Sequence, residues 1–68
     1  MEVFAARLKE LRTNKGLSHI ALGKAIGVNG SAISFWENNI NTITAENIIA
    51  LAKFFGVSTD YLLGVKDY

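Results

Sequence analysis

The stretch Leu17-Ser18-His19-Ile20-Ala21-Leu22-Gly23-Lys24-Ala25-Ile26-Gly27-Val28-Asn29-Gly30-Ser31-Ala32-Ile33-Ser34-Phe35-Trp36-Glu37-Asn38 decides the fold. At its centre, Gly27-Val28-Asn29 reads as a helix stop followed directly by a helix start. A glycine just past a helix takes the left-handed conformation without steric penalty, and an aliphatic residue after it packs back on the last turn. An Asn or Ser in the third position is suited to accept from the free N–H groups of the next helix. The same grammar recurs as Gly16-Leu17-Ser18 and Gly56-Val57-Ser58, while Gly64-Val65 closes the last helix and Asn39-Ile40 reads as a variant stop.

Each start carries a second signature. A hydrophobic staple pairs the residue before the N-cap with the fourth helical residue. Leu17 pairs with Leu22, Val28 with Ile33 and Val57 with Leu62, and Thr44 is a further N-cap flanked by Ile43 and Ile48. Helices are therefore expected over 3–15, 19–26, 30–38, 45–55 and 59–63. Nothing alternates with period two over a useful length, so strands are not expected. Phe4, Leu8 and Leu11 line one face of the first helix; Ile48, Leu51, Ala52 and Phe55 form a stripe on the fourth, widened by Ile49 and Phe54. The fold class is all-α: a compact five-helix bundle in a single domain, 1–68, with no repeat or linker.

Helices two and three are joined by Gly27, Val28 and Asn29 alone, a turn short enough to hold them at the steep angle of a helix-turn-helix. Such a crossing needs a small residue at the contact, and Gly23 supplies it. Glycine inside a helix costs about 0.5–1 kcal/mol relative to alanine, so packing is its reason to be there. In helix three, Ile33 and Trp36 fall on one side; Ser31, Ser34, Phe35 and Asn38 fall on the other. That second stripe is short-chained and uncharged. A solvent-facing helix normally carries Lys and Glu, so this face suits close approach to another molecule.

From Leu17 through Asn38, then Ile40-Asn41, Ala45 to Leu63, and the ending Phe55-Gly56-Val57-Ser58 and Tyr61-Leu62-Leu63-Gly64, the chain resembles the Cro and phage-repressor helix-turn-helix family. Between Leu17 and Tyr61 its spacing is similar to that of the lambda-repressor DNA-binding domain. The resemblance implies a five-helix domain that docks as a homodimer on a palindromic operator in double-stranded DNA, with helix three in the major groove. It also implies contact roles. His19 stands where the family usually has a phosphate-touching glutamine that braces helix three; the alternative is an exposed helix-start residue without a role. Gly30 and Ser31 occupy positions that often carry Arg, Gln or Lys for base contacts, which is the main departure. Gly30 reads no base but allows close backbone approach, and Ser31 and Ser34 bond to several bases and discriminate weakly. Phe35 can pack on thymine methyl groups, its alternative being a half-buried core aromatic. Asn38 can donate to a phosphate or satisfy its own helix end. Asn41 matches a DNA-reaching loop position or is an ordinary turn asparagine. Trp36 is expected in the core, and Glu37 to organise the following loop by accepting backbone N–H bonds. Arg12, Lys15 and Lys24 are candidate phosphate contacts or a solvated basic face.

Composition bounds these readings. The chain has 68 residues, no cysteine and one histidine, so a disulfide staple is excluded and no metal site or cofactor is expected. His19 is the sole candidate base, Ser18 beside it is committed as an N-cap, and no catalysis is expected. No signal peptide or membrane span is read, and a cytoplasmic location is expected. Because the chain ends four residues after Gly64, no separate sensor or oligomerisation domain is expected; it is either a small complete protein or the DNA-binding part of a larger repressor. A dimer would then use helix five and the tail, where Tyr61, Leu63, Val65 and Tyr68 offer apolar surface and Leu62 is buried. The net charge is only +1. Since basic patches drive nucleic-acid binding, the alternative is the same fold acting through a protein partner, a repressor or a toxin, as an antirepressor or antitoxin does.

Overall fold

The computed structural model describes residues 2–40 and 42–68; Asn41 lies outside the described residues. Five helices follow in order: α1 Glu2–Asn14, α2 His19–Ile26, α3 Gly30–Glu37, α4 Ala45–Phe55 and α5 Thr59–Leu63. Three ends differ from the sequence expectation by one residue, the first being the start of α1, which begins at Glu2 instead of Val3. At the end of α1, Gly16 turns left-handed (φ 72°) and the Leu17 N–H bonds back to the Arg12 carbonyl, so Lys15 belongs to the closing turn. At the end of α3, Asn38 is the cap and Asn39 takes the left-handed conformation (φ 56°) that glycine takes elsewhere; the Ile40 N–H then closes on the Phe35 carbonyl.

The core is a set of contributions from each helix. Leu8, Leu22, Ile33, Leu51 and Leu62 are fully buried, one from each element in turn. Burial of a side chain of this kind contributes roughly 1.5–3 kcal/mol. Phe4, Trp36, Ile43 and Ala52 complete the cluster, and the staple residues Leu17, Val28 and Val57 pack against it. Three N-caps work through their side chains: Ser18 accepts from the Ala21 N–H, Thr44 from Asn47 and Ser58 from Tyr61. Asn29 departs from the expected grammar. Its backbone is extended as an N-cap requires, but its side chain makes no capping bond.

The α2–α3 crossing explains Gly23. A Cβ there would stand 2.5 Å from the Val28 carbonyl oxygen and 3.1 Å from the Asn29 carbonyl carbon and the Gly30 nitrogen. The obstacle is backbone, which cannot rotate aside. Gly23 therefore lets α2 meet the turn directly and sets how closely α3 leaves it.

Candidate nucleic-acid interface

With Ile33 and Trp36 anchoring α3 in the core, the helix turns its opposite stripe outward. Ser31 and Asn38 are exposed, Ser34 is half-buried, and Phe35 is 41% exposed. Phe35 is thus no core aromatic. It lines an open cleft of about 610 Å³ together with Lys24, Val28, Asn29, Ser31 and Ala32 and the backbone of Gly23 and Gly27. The cleft offers an apolar ring, a serine hydroxyl and one ammonium in the angle of the turn. That combination accepts a small apolar group flanked by hydrogen-bond acceptors. Asn38 donates from Nδ2 to the Ser34 carbonyl at 2.8 Å, satisfying its own helix.

Gly30 has a structural reason that its sequence position did not disclose. A Cβ there would meet the Cα and N of Ile20 at 3.0 Å. The start of α3 rests on the start of α2, and a longer side chain at 30 would push them apart. Ile20 itself is 64% exposed beside this contact, a surface residue that the sequence pattern does not single out. Its one signal is an aliphatic side chain one position after the N1 residue, off the stapled face.

The basic candidates separate. Lys24 is exposed at the cleft, and Lys15 is exposed with its Nζ 5.3 Å from the Phe54 ring centre. Arg12 is not on a solvated face. Its Nε donates to Glu37 Oε2 at 2.5 Å, Nη2 to Oε1 at 3.0 Å, and Nη1 to the Leu17 carbonyl at 2.8 Å. His19 Nε2 stands 3.1 Å from the same Oε1. Side-chain exposure is 12% for Arg12 and 4% for Glu37, against 40% for His19. Glu37 therefore ties the last turn of α3 to α1 and to the start of α2. A buried carboxylate needs ionic partners more than amide dipoles, and two lie within reach. Burial pushes the Glu37 carboxyl up, but the hydrogen bonds from Arg12 and His19 and their charges outweigh it and hold the group below the usual carboxylate value. The hydrogen bond to Glu37 raises Arg12 against the lowering effect of its burial. Sequence spacing gave no sign of this cluster, since its three members come from three helices.

The far end of the molecule is organised by Arg7. It donates to the Tyr61 and Lys66 carbonyls, and its guanidinium lies over the Tyr61 ring at 4.1 Å. Tyr61 is consequently half-buried with Arg7 over its ring, instead of the open apolar surface expected. Leu63, Val65 and Tyr68 do remain exposed, and Val3 joins them across Gly64. Among the described residues no helix is long and apolar enough to cross a membrane.

Known proteins share this fold. A family described as Helix-turn-helix matches residues 8–62. The chain is 37% identical over 62 residues to Repressor protein C2 of Salmonella phage P22, covering 91% of this chain and 29% of that protein. It is 37% identical over 64 residues to the HTH-type transcriptional activator BcrR of Enterococcus faecalis, covering 94% of this chain and 31% of the relative. The chain thus spans about a third of the length of these relatives. Among solved structures, the P22 c2 repressor in complex with a synthetic operator superposes with a TM-score of 0.84 at 35% identity, covering 91% of this chain and 94% of that one. The matched segment holds the whole α2–turn–α3 unit with the core that anchors it, and the chain belongs to the helix-turn-helix family.

Proposed function

We propose that this chain is the sequence-specific DNA-binding domain of a transcription regulator, of the phage, prophage or bacterial Cro and repressor type, acting in the cytoplasm as a binding domain and not as an enzyme. The observation that carries the reading is the outward stripe of α3. It is uncharged, with Ser31, Phe35 and Asn38 exposed and Ser34 half-buried, on a fold similar to that of a repressor solved with operator DNA. In this reading α3 enters the major groove of double-stranded DNA. Ser31 and Ser34 bond to base edges, Phe35 packs on thymine methyl groups, and Gly30 brings the backbone close. Lys24, Lys15, His19 and Asn38 face phosphates, which position the helix without reading sequence, and Asn41 is a further DNA contact. Arg12 acts through Glu37 instead of touching DNA.

The domain binds a palindromic operator as a homodimer, joined through the exposed Leu63, Val65 and Tyr68. A gel shift with duplexes enriched from a randomised pool, run at two salt concentrations, tests the DNA reading. Binding should weaken with salt by a log–log slope of about −0.9 per phosphate neutralised. Phe35→Ala should lose preference for thymine at one step of each half-site while keeping the salt slope. Sedimentation of wild type and Leu63→Lys tests the dimer, and an unchanged association state in the variant would remove this surface from the proposal.

The +1 net charge and the exposed Phe35 favour one second reading, in which the same face engages a repressor or toxin protein. Absence of DNA binding at every salt concentration, with a protein recovered on wild type but not on Phe35→Ala, would support it.

A further inference from the structure

The His19–Glu37–Arg12 cluster places a constraint on protons that the DNA-binding reading does not itself contain, although its consequence for a ligand rests on that reading. An α-helix is about 10–12 Å across with its side chains, and it fills a major groove about 12 Å wide. Sugar–phosphate backbones therefore run along both shoulders of an inserted helix. His19 stands on such a shoulder, in the first turn of α2 and bonded to the last turn of α3. It remains 40% exposed although its partner Glu37 is 4% exposed. One edge of the ring is thus held inside while the rest is accessible.

A neutral imidazole has a single N–H. The Nε2 contact to Glu37 Oε1 requires the proton on Nε2, because a lone pair on nitrogen facing a carboxylate oxygen at 3.1 Å is repulsive. Nδ1 is then a bare acceptor, and an acceptor repels a phosphate oxygen. Moving the proton to Nδ1 only transfers the repulsion to Glu37. The carboxylate cannot relieve this by taking a proton: its pairing with Arg12 keeps it ionised throughout the range in which histidine titrates. Among the described residues, the charged groups bonded within this cluster are Glu37 from α3 and Arg12 from α1. The imidazolium alone carries two N–H donors and serves both anions together.

We propose that His19 contacts a DNA phosphate only as the imidazolium, with Nε2 held by Glu37 and Nδ1 donating to the phosphate, so that binding DNA takes up a proton. Glu37 acts as a positioning residue, orienting the ring through Nε2.

The test is fluorescence anisotropy at constant ionic strength, between about pH 5.5 and about pH 8.5, a range that spans histidine titration. It uses a labelled duplex enriched by the wild-type protein and compares wild type, His19→Gln and His19→Ala. Wild-type affinity should rise about tenfold as pH falls across the range, the scale of one charge-assisted hydrogen bond. Its salt slope should steepen by about 0.9 at the acid end. Glutamine has an amide with two donors that do not titrate. His19→Gln should therefore bind with a nearly flat pH profile and exceed wild type at the alkaline end, while His19→Ala is flat and weak. The α-amino group also titrates in this range, and a slope that persists in His19→Gln would assign the proton elsewhere and overturn the proposal. Salt-sensitive wild-type binding without pH dependence would overturn it and leave the DNA-binding reading standing. A pool that yields no enriched duplex would overturn both.

Discussion

Two of the glycine turns of this molecule are written almost identically and built differently. Gly27-Val28-Asn29 joins α2 to α3, and Gly56-Val57-Ser58 joins α4 to α5. Both glycines are left-handed, at φ 84° and 68°, and a Cβ on either would meet open space. The divergence lies around them. In the α4–α5 turn, the capping serine makes its bond to the Tyr61 N–H. In the α2–α3 turn, the capping side chain is idle, and the elements are held by steric fit at Gly23 and Gly30 and by the ion cluster at Glu37. Capping determines where a helix ends. The angle at which the next one leaves, on which a recognition face depends, is fixed by backbone contact and by side chains from a third helix.

Removing the partner of a mostly buried charge should do most damage. Glu37→Ala strands Arg12, which keeps only the Leu17 carbonyl, and should destabilise by about 3 kcal/mol, read as a fall in the thermal midpoint. The same carboxylate predicts the direction of acid sensitivity. Its folded pKa is depressed, so the stability it contributes is fully present above the unfolded value and is lost as pH falls through the folded one. The wild-type midpoint should therefore drop below the ordinary carboxylate range, and Glu37→Gln should show a smaller drop over the same interval. An equal acid slope in the two proteins would mean that another group carries it.

Gly23→Ala comes next. Alanine gains about 1 kcal/mol of helix propensity over glycine, but the 2.5 Å approach to the Val28 carbonyl forces the backbone apart. A net loss of about 2 kcal/mol in denaturant unfolding is expected, the scale of overpacking. A neutral or stabilised variant would show that the crossing relaxes freely. The smallest effects distinguish the two turns directly. Ser58→Ala should cost about 1 kcal/mol, the usual value of an N-cap bond, whereas Asn29→Ala should cost no more than about 0.5 kcal/mol because no side-chain bond is lost. Equal losses would break the contrast between the turns.

Much of this architecture is legible in the amino-acid sequence. Helix ends are readable because capping is local: a glycine, an aliphatic and a hydroxyl residue carry it within a few positions. The staple pairs likewise point to Leu22, Ile33 and Leu62, which are fully buried. The outward stripe of α3 is legible through helical periodicity, and Phe35 is exposed as that periodicity requires. Three features are not legible. By pattern alone Arg12 is a free cation, Glu37 a loop organiser and Tyr61 open apolar surface. Each is decided by a partner far along the chain: Glu37 for Arg12, Arg12 and His19 for Glu37, and Arg7 for Tyr61.

By itself, then, the sequence determined five helices, their ends to within one residue and the face of α3 turned away from the core, because these follow from local backbone preference and a fixed helical repeat. Only the tertiary structure decided which charges are spent inside the molecule and which remain for a ligand. That depends on distances between residues separated by 18 or 25 positions, which folding sets and no local pattern records.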